Sequence, residues 1–320
     1  MDPASLKDKF VGCMLGTHVG DALGMPVEGY SYRTIEQKYG EIREMLDARL
    51  GSGTYTDDTE MMIAVAESLA ENSGFNGRDM ARRFVTNFHP ERGYGRGTLR
   101  SLSNIQSGVS WEESGKMVFH EGSFGNGSSM RIAPIGAFYH DKPNKLRSAA
   151  YWSSQITHAH TLGKEGAFLQ AKTVSMALHR DPEKGFDTKE FLEELIESIS
   201  PEANIYTSKL EQVKTLLDTP TNKKRVVEIL GHDSTAPGSV PTAIYSFLTH
   251  HHDFEETVVY AVGLGGDTDT IGAMSGAISG GYHGKKGIPS RWLDRIENEE
   301  KGRDYIEKLA VTLWEAHRKV

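Results

Sequence analysis

The chain has 320 residues, enough to bury a large core, and its 36 basic against 44 acidic side chains leave a formal charge of −8. No basic block offers a counter-charge to a phosphate backbone, which excludes long nucleic acid as an expected partner. The only cysteine, Cys13, forms no internal disulfide, which fits a reducing compartment. No apolar run approaches the roughly 20 residues that span a bilayer, so no membrane association is expected. The stretch "MDPASLKDKF" carries charges where a signal peptide is apolar. The expectation is a soluble, cytoplasmic protein, with a monomer as the default because no exposed apolar heptad stands out.

Glycine recurs every fourth residue at Gly12, Gly16, Gly20 and Gly24, and again at Gly272, Gly276 and Gly280. On a helix that spacing makes a nearly smooth stripe. Each interior glycine costs roughly 1 kcal/mol against alanine, and close approach of two backbones is the expected compensation. The two stripes are about 250 residues apart, which predicts one domain over 1–320, closed from both ends. After the first stripe, "GDALGMPVEGYS" brings Asp21, read either as a structural acceptor or as an outer group of a site. It also brings Glu28, which alone reads as a surface carboxylate.

"GTYTDDTEMM" then places Thr56, Asp57, Asp58 and Thr59 ahead of a helix whose Met62, Val65, Ala66 and Leu69 follow the helical stripe. Further on, "EGSFGNGSSMRIAPIG" reads as a glycine-rich turn that could cradle phosphate, with Arg131 in a structural role. The loop matches neither the Walker nor the dinucleotide fingerprint. In "ITHAHTLG", His158 and His160 read as satisfied polar residues on a helix. Helical patterns recur in "KEFLEELIESI", "SKLEQVKTLL", "PTAIYSFLTHH", "EETVVYAVG" and "DYIEKLAVTLWEAH", while strand patterns are few. The fold class predicted is all-α.

Between the last two of these helices lies "GLGGDTDTIGAMSGAISGG", with Asp267 and Asp269. Capping is the simplest reading of either acidic motif taken alone. It does not account for a second aspartate in both, since one cap needs one side chain. If the two clusters meet, they supply four carboxylates and the hydroxyls of Thr56 and Thr270, a hard-oxygen set suited to two magnesium or manganese ions. Zinc fits less well, because the 13 histidines show no HExxH spacing and no cysteine pair exists.

The ordered set "GDALGMPVE", "TYTDDTEMM", "RGYGRGT", "GNGSSMR", "THAHTLG", "SVPTAIYSFL" and "GGDTDTIGAMSGAI" resembles the ADP-ribosylglycohydrolases. "RGYGRGT" and "SVPTAIYSFL" look closest to the branch acting on serine-linked ADP-ribose and poly(ADP-ribose). The resemblance implies a compact helical fold with a centre of two Mg2+ or Mn2+ ions below an ADP-ribose cleft. Its metal ligands would be Thr56, Asp57, Asp58, Asp267, Asp269 and Thr270, with Asp269 bridging. Glu28 falls on the family's mobile catalytic glutamate. Gly122, Ser123, Phe124, Asn126 and Gly127 would contact diphosphate and ribose, and His158 the distal ribose or phosphate. Phe119 and Phe124 would stack on adenine. Their spacing departs by one residue from that branch, and Ser234 stands where the branch lines the cleft with an apolar residue. The implied activity is hydrolysis of the bond joining ADP-ribose to a serine or arginine side chain of a protein, or to another ADP-ribose. Two alternatives stay open, a member recruited to a structural, crystallin-like role and an ADP-ribose-binding module without turnover.

Overall fold

The structure is a computed structural model that describes residues 3–320; Met1 and Asp2, at the head of the N-terminal stretch read above, lie outside it. The described residues form helices and no strand, with two isolated bridges, Ser31 to Gly265 and Gly125 to Thr235. The glycine-striped α1 (Pro3–Gly24) leads into a 3-10 turn at Met25–Val27 and then α2 (Tyr32–Tyr39). The acidic α3 (Asp57–Asn72) follows, with α4 (Gly77–Thr86), α5 (Arg96–Gln106) and the single turn α6 (Trp111–Ser114). Beyond the glycine-rich loop come α7 (Ala133–Phe138), α8 (Pro143–Gln155) and α9 (Thr161–His179). The next five are α10 (Thr188–Glu197), α11 (Asn204–Leu217), α12 (Lys223–Leu230), α13 (Ala236–His250) and α14 (Phe254–Val262). The second striped helix, α15 (Thr268–His283), precedes the one-turn α16 (Ser290–Leu293) and the terminal α17 (Arg303–His317).

The two glycine stripes face each other in the most extensive helix–helix contact of the fold. They run antiparallel. A Cβ built on Gly12 would stand 2.3 Å from the Gly280 carbonyl oxygen, one on Gly16 2.1 Å from that of Gly276, and one on Gly20 2.0 Å from that of Gly272. Real Cβ atoms do not approach oxygen so closely, so only glycine permits this crossing. At the end of the seam the Thr268 hydroxyl donates to the Gly24 carbonyl at 2.8 Å, which pins the start of α15 to the end of α1. One apolar cluster surrounds this pair, running from Phe10 in α1 to Ala316 in α17. Among the described residues no helix is long and apolar enough to cross a membrane.

Gly276→Ala separates packing from helix propensity. Propensity alone favours alanine by about 1 kcal/mol, whereas overpacking a backbone contact costs about 1–3 kcal/mol or more. Urea unfolding is expected to show a loss of at least about 2 kcal/mol, and a gain would contradict the seam.

Candidate metal centre and cleft

Three chain segments are delivered to one place by the last turns of α1. The Asp21 carboxylate, fully buried in α1, accepts the Thr56 N–H at 3.0 Å, the Thr59 N–H at 3.1 Å and the Thr59 hydroxyl at 2.6 Å. It therefore fixes the entry of α3 as a structural acceptor. Thr56 caps that helix, accepting the Asp58 N–H at 3.3 Å, and its hydroxyl is 3.2 Å from Asp58 Oδ2. The cap is thus Thr56, and Asp57 and Asp58 are left over from it.

Asp267 occupies the position before α15, yet its side chain makes no capping bond. Its carboxylate instead accepts from Asn126 Nδ2 at 2.5 Å. The loop before it needs left-handed glycines, Gly265 at φ +74° and Gly266 at φ +77°. It is laced to the Glu28 segment by Gly29 N–H to the Gly266 carbonyl and Gly266 N–H to the Tyr30 carbonyl, both 2.8 Å. Through this lacing a carboxylate oxygen each from Glu28, Asp267 and Asp269 falls within 4.8 Å of the others.

The resulting cleft, about 410 Å³, is lined by Glu28, Asp57, Asp58, Asp267, Asp269 and Thr270. Phe119, Ser123, Asn126, Gly127, His158 and Ser234 line it too. The remaining three expected residues do not. Thr56 stands behind Asp58 in its cap. Gly122, at φ +83°, packs on the backbone of Ala159 and His160, and the exposed Phe124 ring meets His160 edge-on at 5.3 Å. Neither histidine is inside a helix: His158 sits in the link between α8 and α9, and His160 caps α9 by accepting the Leu162 N–H at 3.1 Å. Sequence reasoning quoted "RGYGRGT" but assigned its residues no place in the site. Gly93, Gly95, Arg96, Gly97 and Thr98 line the cleft as well. The available signal was an arginine between glycines at the start of a helix.

Burial pushes Asp21 and Asp267 up to about 6. Burial first, and then neighbouring carboxylates, drives Asp57, Asp58 and Asp269 well above the ordinary carboxylate value. Asp58 feels Asp269 and Asp267 as well as Asp57, so the two sequence-distant pairs share one field. Asp58 Oδ1 is buried with no hydrogen-bond partner. An orphaned acceptor among like charges is the condition that a bound divalent cation relieves, and an all-oxygen set fits magnesium or manganese.

Behind the lining, Arg131 is fully buried and donates to the Ser153 carbonyl at 3.0 Å and to Thr157 Oγ1 at 2.8 Å. Thr157 Oγ1 lies 2.7 Å from His158 Nδ1. The hydroxyl accepts from Arg131 and gives its own proton to Nδ1, which leaves the ring proton on Nε2. Burial, and then Arg131, lowers His158 to about 3, so the ring is neutral. Its Nε2–H faces the turn at Gly125 and Gly127, where a Cβ on Gly127 would be 3.0 Å from Nε2. Cys13 is no nucleophile, as burial raises its thiol to about 12.

Residues 2–320 match the ADP-ribosylglycohydrolase family. The chain belongs to that family and is a glycosidic-bond hydrolase. It is 36% identical over 322 residues to an uncharacterised protein of Archaeoglobus fulgidus, covering 98% of this chain and 99% of the other. It is 33% identical over 351 residues to ADP-ribosylhydrolase ARH3 of Gallus gallus, covering 97% and 93%. A solved structure of an ADP-ribosylglycohydrolase-related protein complex superposes with a TM-score of 0.78 at 29% identity, covering 98% and 99%.

Asp267→Asn tests the electrostatics in chelator. A carboxyl whose folded pKa is raised stabilises the fold below its unfolded pKa and loses that contribution as pH climbs through the folded value. The variant is therefore expected to match the parent near pH 4 and to gain about 2 kcal/mol over it by pH 7. A pH-independent difference would contradict the account.

Proposed function

We propose that this chain, as one catalytic domain over 1–320, hydrolyses the glycosidic bond at C1 of the distal ribose of ADP-ribose. The bond would join that ribose to a serine side chain of a protein or to another ADP-ribose. The carrying observation is that Asp57, Asp58, Asp267 and Asp269, with Glu28, line one cleft in which Asp58 Oδ1 has no partner. Thr56, Asp57, Asp58, Asp267, Asp269 and Thr270 are the residues that would hold two Mg2+ or Mn2+ ions. Bound there, the cations supply positive charge beside the ribose hydroxyls and acidify water.

The protein's own groups do the rest. Glu28 is the general acid or base at the scissile bond, as carboxylates are in glycoside cleavage generally. Asn126 holds Asp267 in place through the 2.5 Å hydrogen bond. Ser123, Asn126 and Gly127, which line the cleft, are the loop residues proposed to face the diphosphate and ribose, while Gly122 and Phe124 support the turn from outside it. The neutral His158 offers Nε2–H to a ribose or phosphate oxygen. Phe119, 56% exposed at the cleft rim, is the proposed platform for adenine, with Phe124 outside it and Ser234 at the edge. Preference for serine-linked and polymeric substrate over arginine-linked substrate is supported by "RGYGRGT" and "SVPTAIYSFL".

One panel tests this reading: serine-linked, arginine-linked and polymeric ADP-ribose, each with Mg2+ and Mn2+, with free ADP-ribose measured. Release from the serine-linked and polymeric substrates is expected. Release from the arginine-linked substrate alone would overturn the linkage preference, and release from none would overturn the hydrolase assignment. In the same assay Glu28→Ala is expected to keep ADP-ribose binding while losing at least 100-fold in turnover, on the order of a general acid–base contribution. Asp269→Ala is expected to lose both cation binding and turnover, and full activity in it would remove the metal centre from the chemistry.

A further inference from the structure

A second group of ligand-type side chains gathers where the turn after α7 and the ends of α9 and α17 meet Phe10 of α1. His140 and Asp141 lie in the turn, with His179 in the last turn of α9 and His317 in the last turn of α17. One ring nitrogen each of His140 and His317 and one carboxylate oxygen of Asp141 lie within 4.8 Å of one another. His317 Nε2 is 4.0 Å from Asp141 Oδ2.

Outer hydrogen bonds prepare these rings. His317 Nδ1 donates to the Phe138 carbonyl at 2.9 Å, so its proton sits on Nδ1 and Nε2 keeps a lone pair. His140 Nδ1 lies 3.0 Å from His179 Nε2, while His140 Nε2 is buried without any hydrogen-bond partner. His179 Nε2 lies 3.2 Å from the His140 carbonyl as well, and where His140 Nδ1 carries the proton and donates it to His179, Nε2 is left with an unshared lone pair. A proton on Nε2 would leave a buried N–H with no acceptor. A cation is the partner that suits the first arrangement, and a second nitrogen held by a carbonyl or a neighbouring ring is the usual support of a ligating histidine. Burial, then His317 and His179, lowers His140 to about 4, which keeps it in the neutral form that ligates. Phe10 flanks both rings at 5.9 and 6.0 Å, and Phe138 flanks His317 at 5.9 Å, making an apolar shell.

We propose that His140, Asp141 and His317 form a site for one divalent transition-metal ion of the zinc class, solvent completing its coordination, which ties α17 to the turn after α7. Two imidazoles and one carboxylate favour zinc, whereas the all-oxygen cleft favours magnesium or manganese, so the two sites differ in chemistry.

The test uses the full-length, metal-stripped chain carrying Asp267→Asn and Asp269→Asn, which takes the cleft out of the titration. Zn2+ alone is added, with calorimetry and thermal unfolding as readouts. One site and a Tm rise of several degrees are expected, since a ligand of the folded state stabilises it by mass action. Asp141→Ala, at an exposed position, and His140→Gln are each expected to weaken that site at least tenfold and abolish the rise. Absence of a site in the parent, or the same zinc affinity and Tm rise in both variants, would overturn the proposal.

Discussion

Everything at the candidate centre depends on how closely α1 and α15 approach. Helix axes ordinarily stand 8–10 Å apart, and the glycine seam removes the side chains that set that distance. From the seam follow three placements. Asp21 reaches across to seat α3, Thr268 locks α15 onto Gly24, and the chain leaving Gly24 turns through Met25–Val27 to bring Glu28 round. Aspartates some 210 residues apart in sequence thereby face the same cleft.

That gathering is electrostatically unfavourable in itself. Taking a carboxylate from water costs several kcal/mol even after relaxation, and four aspartates close together repel as well. The surrounding apolar cluster and the glycine seam must offset this. Sites that carry function are where such local conflict is found. Elsewhere in the lining, burial first and then Arg131 keep His158 neutral, and the Thr157 hydroxyl sets its tautomer. One cleft therefore holds both a group of carboxylates and a neutral donor.

Much of this was legible in the sequence. The every-fourth-glycine spacing predicts the pairing of α1 with α15, because only a backbone contact accounts for so many costly residues. The doubled aspartates predict the meeting of α3 and α15, because capping uses one side chain and here Thr56 supplies it. Amphipathic stripes identify α3, α10, α11, α13, α14 and α17. They are silent on α9, where almost every residue from Gly163 to Leu178 is buried. His158 and His160, read as helical, lie instead in the α8–α9 link and at the cap of α9. The part played by Asp21 was left between two readings, because its acceptor role is set by the position of α3 and not by its own neighbours. The lining from Gly93 to Thr98 was missed because a short glycine-rich turn carries no periodic signal at all.

The central claim is that the two aspartate pairs make one dinuclear centre. Electron paramagnetic resonance of the metal-stripped chain titrated with Mn2+ reads this directly. The account predicts two ions per chain and an exchange-coupled spectrum as the second ion enters. A single bound ion, or two ions giving only the isolated six-line signal, would contradict it.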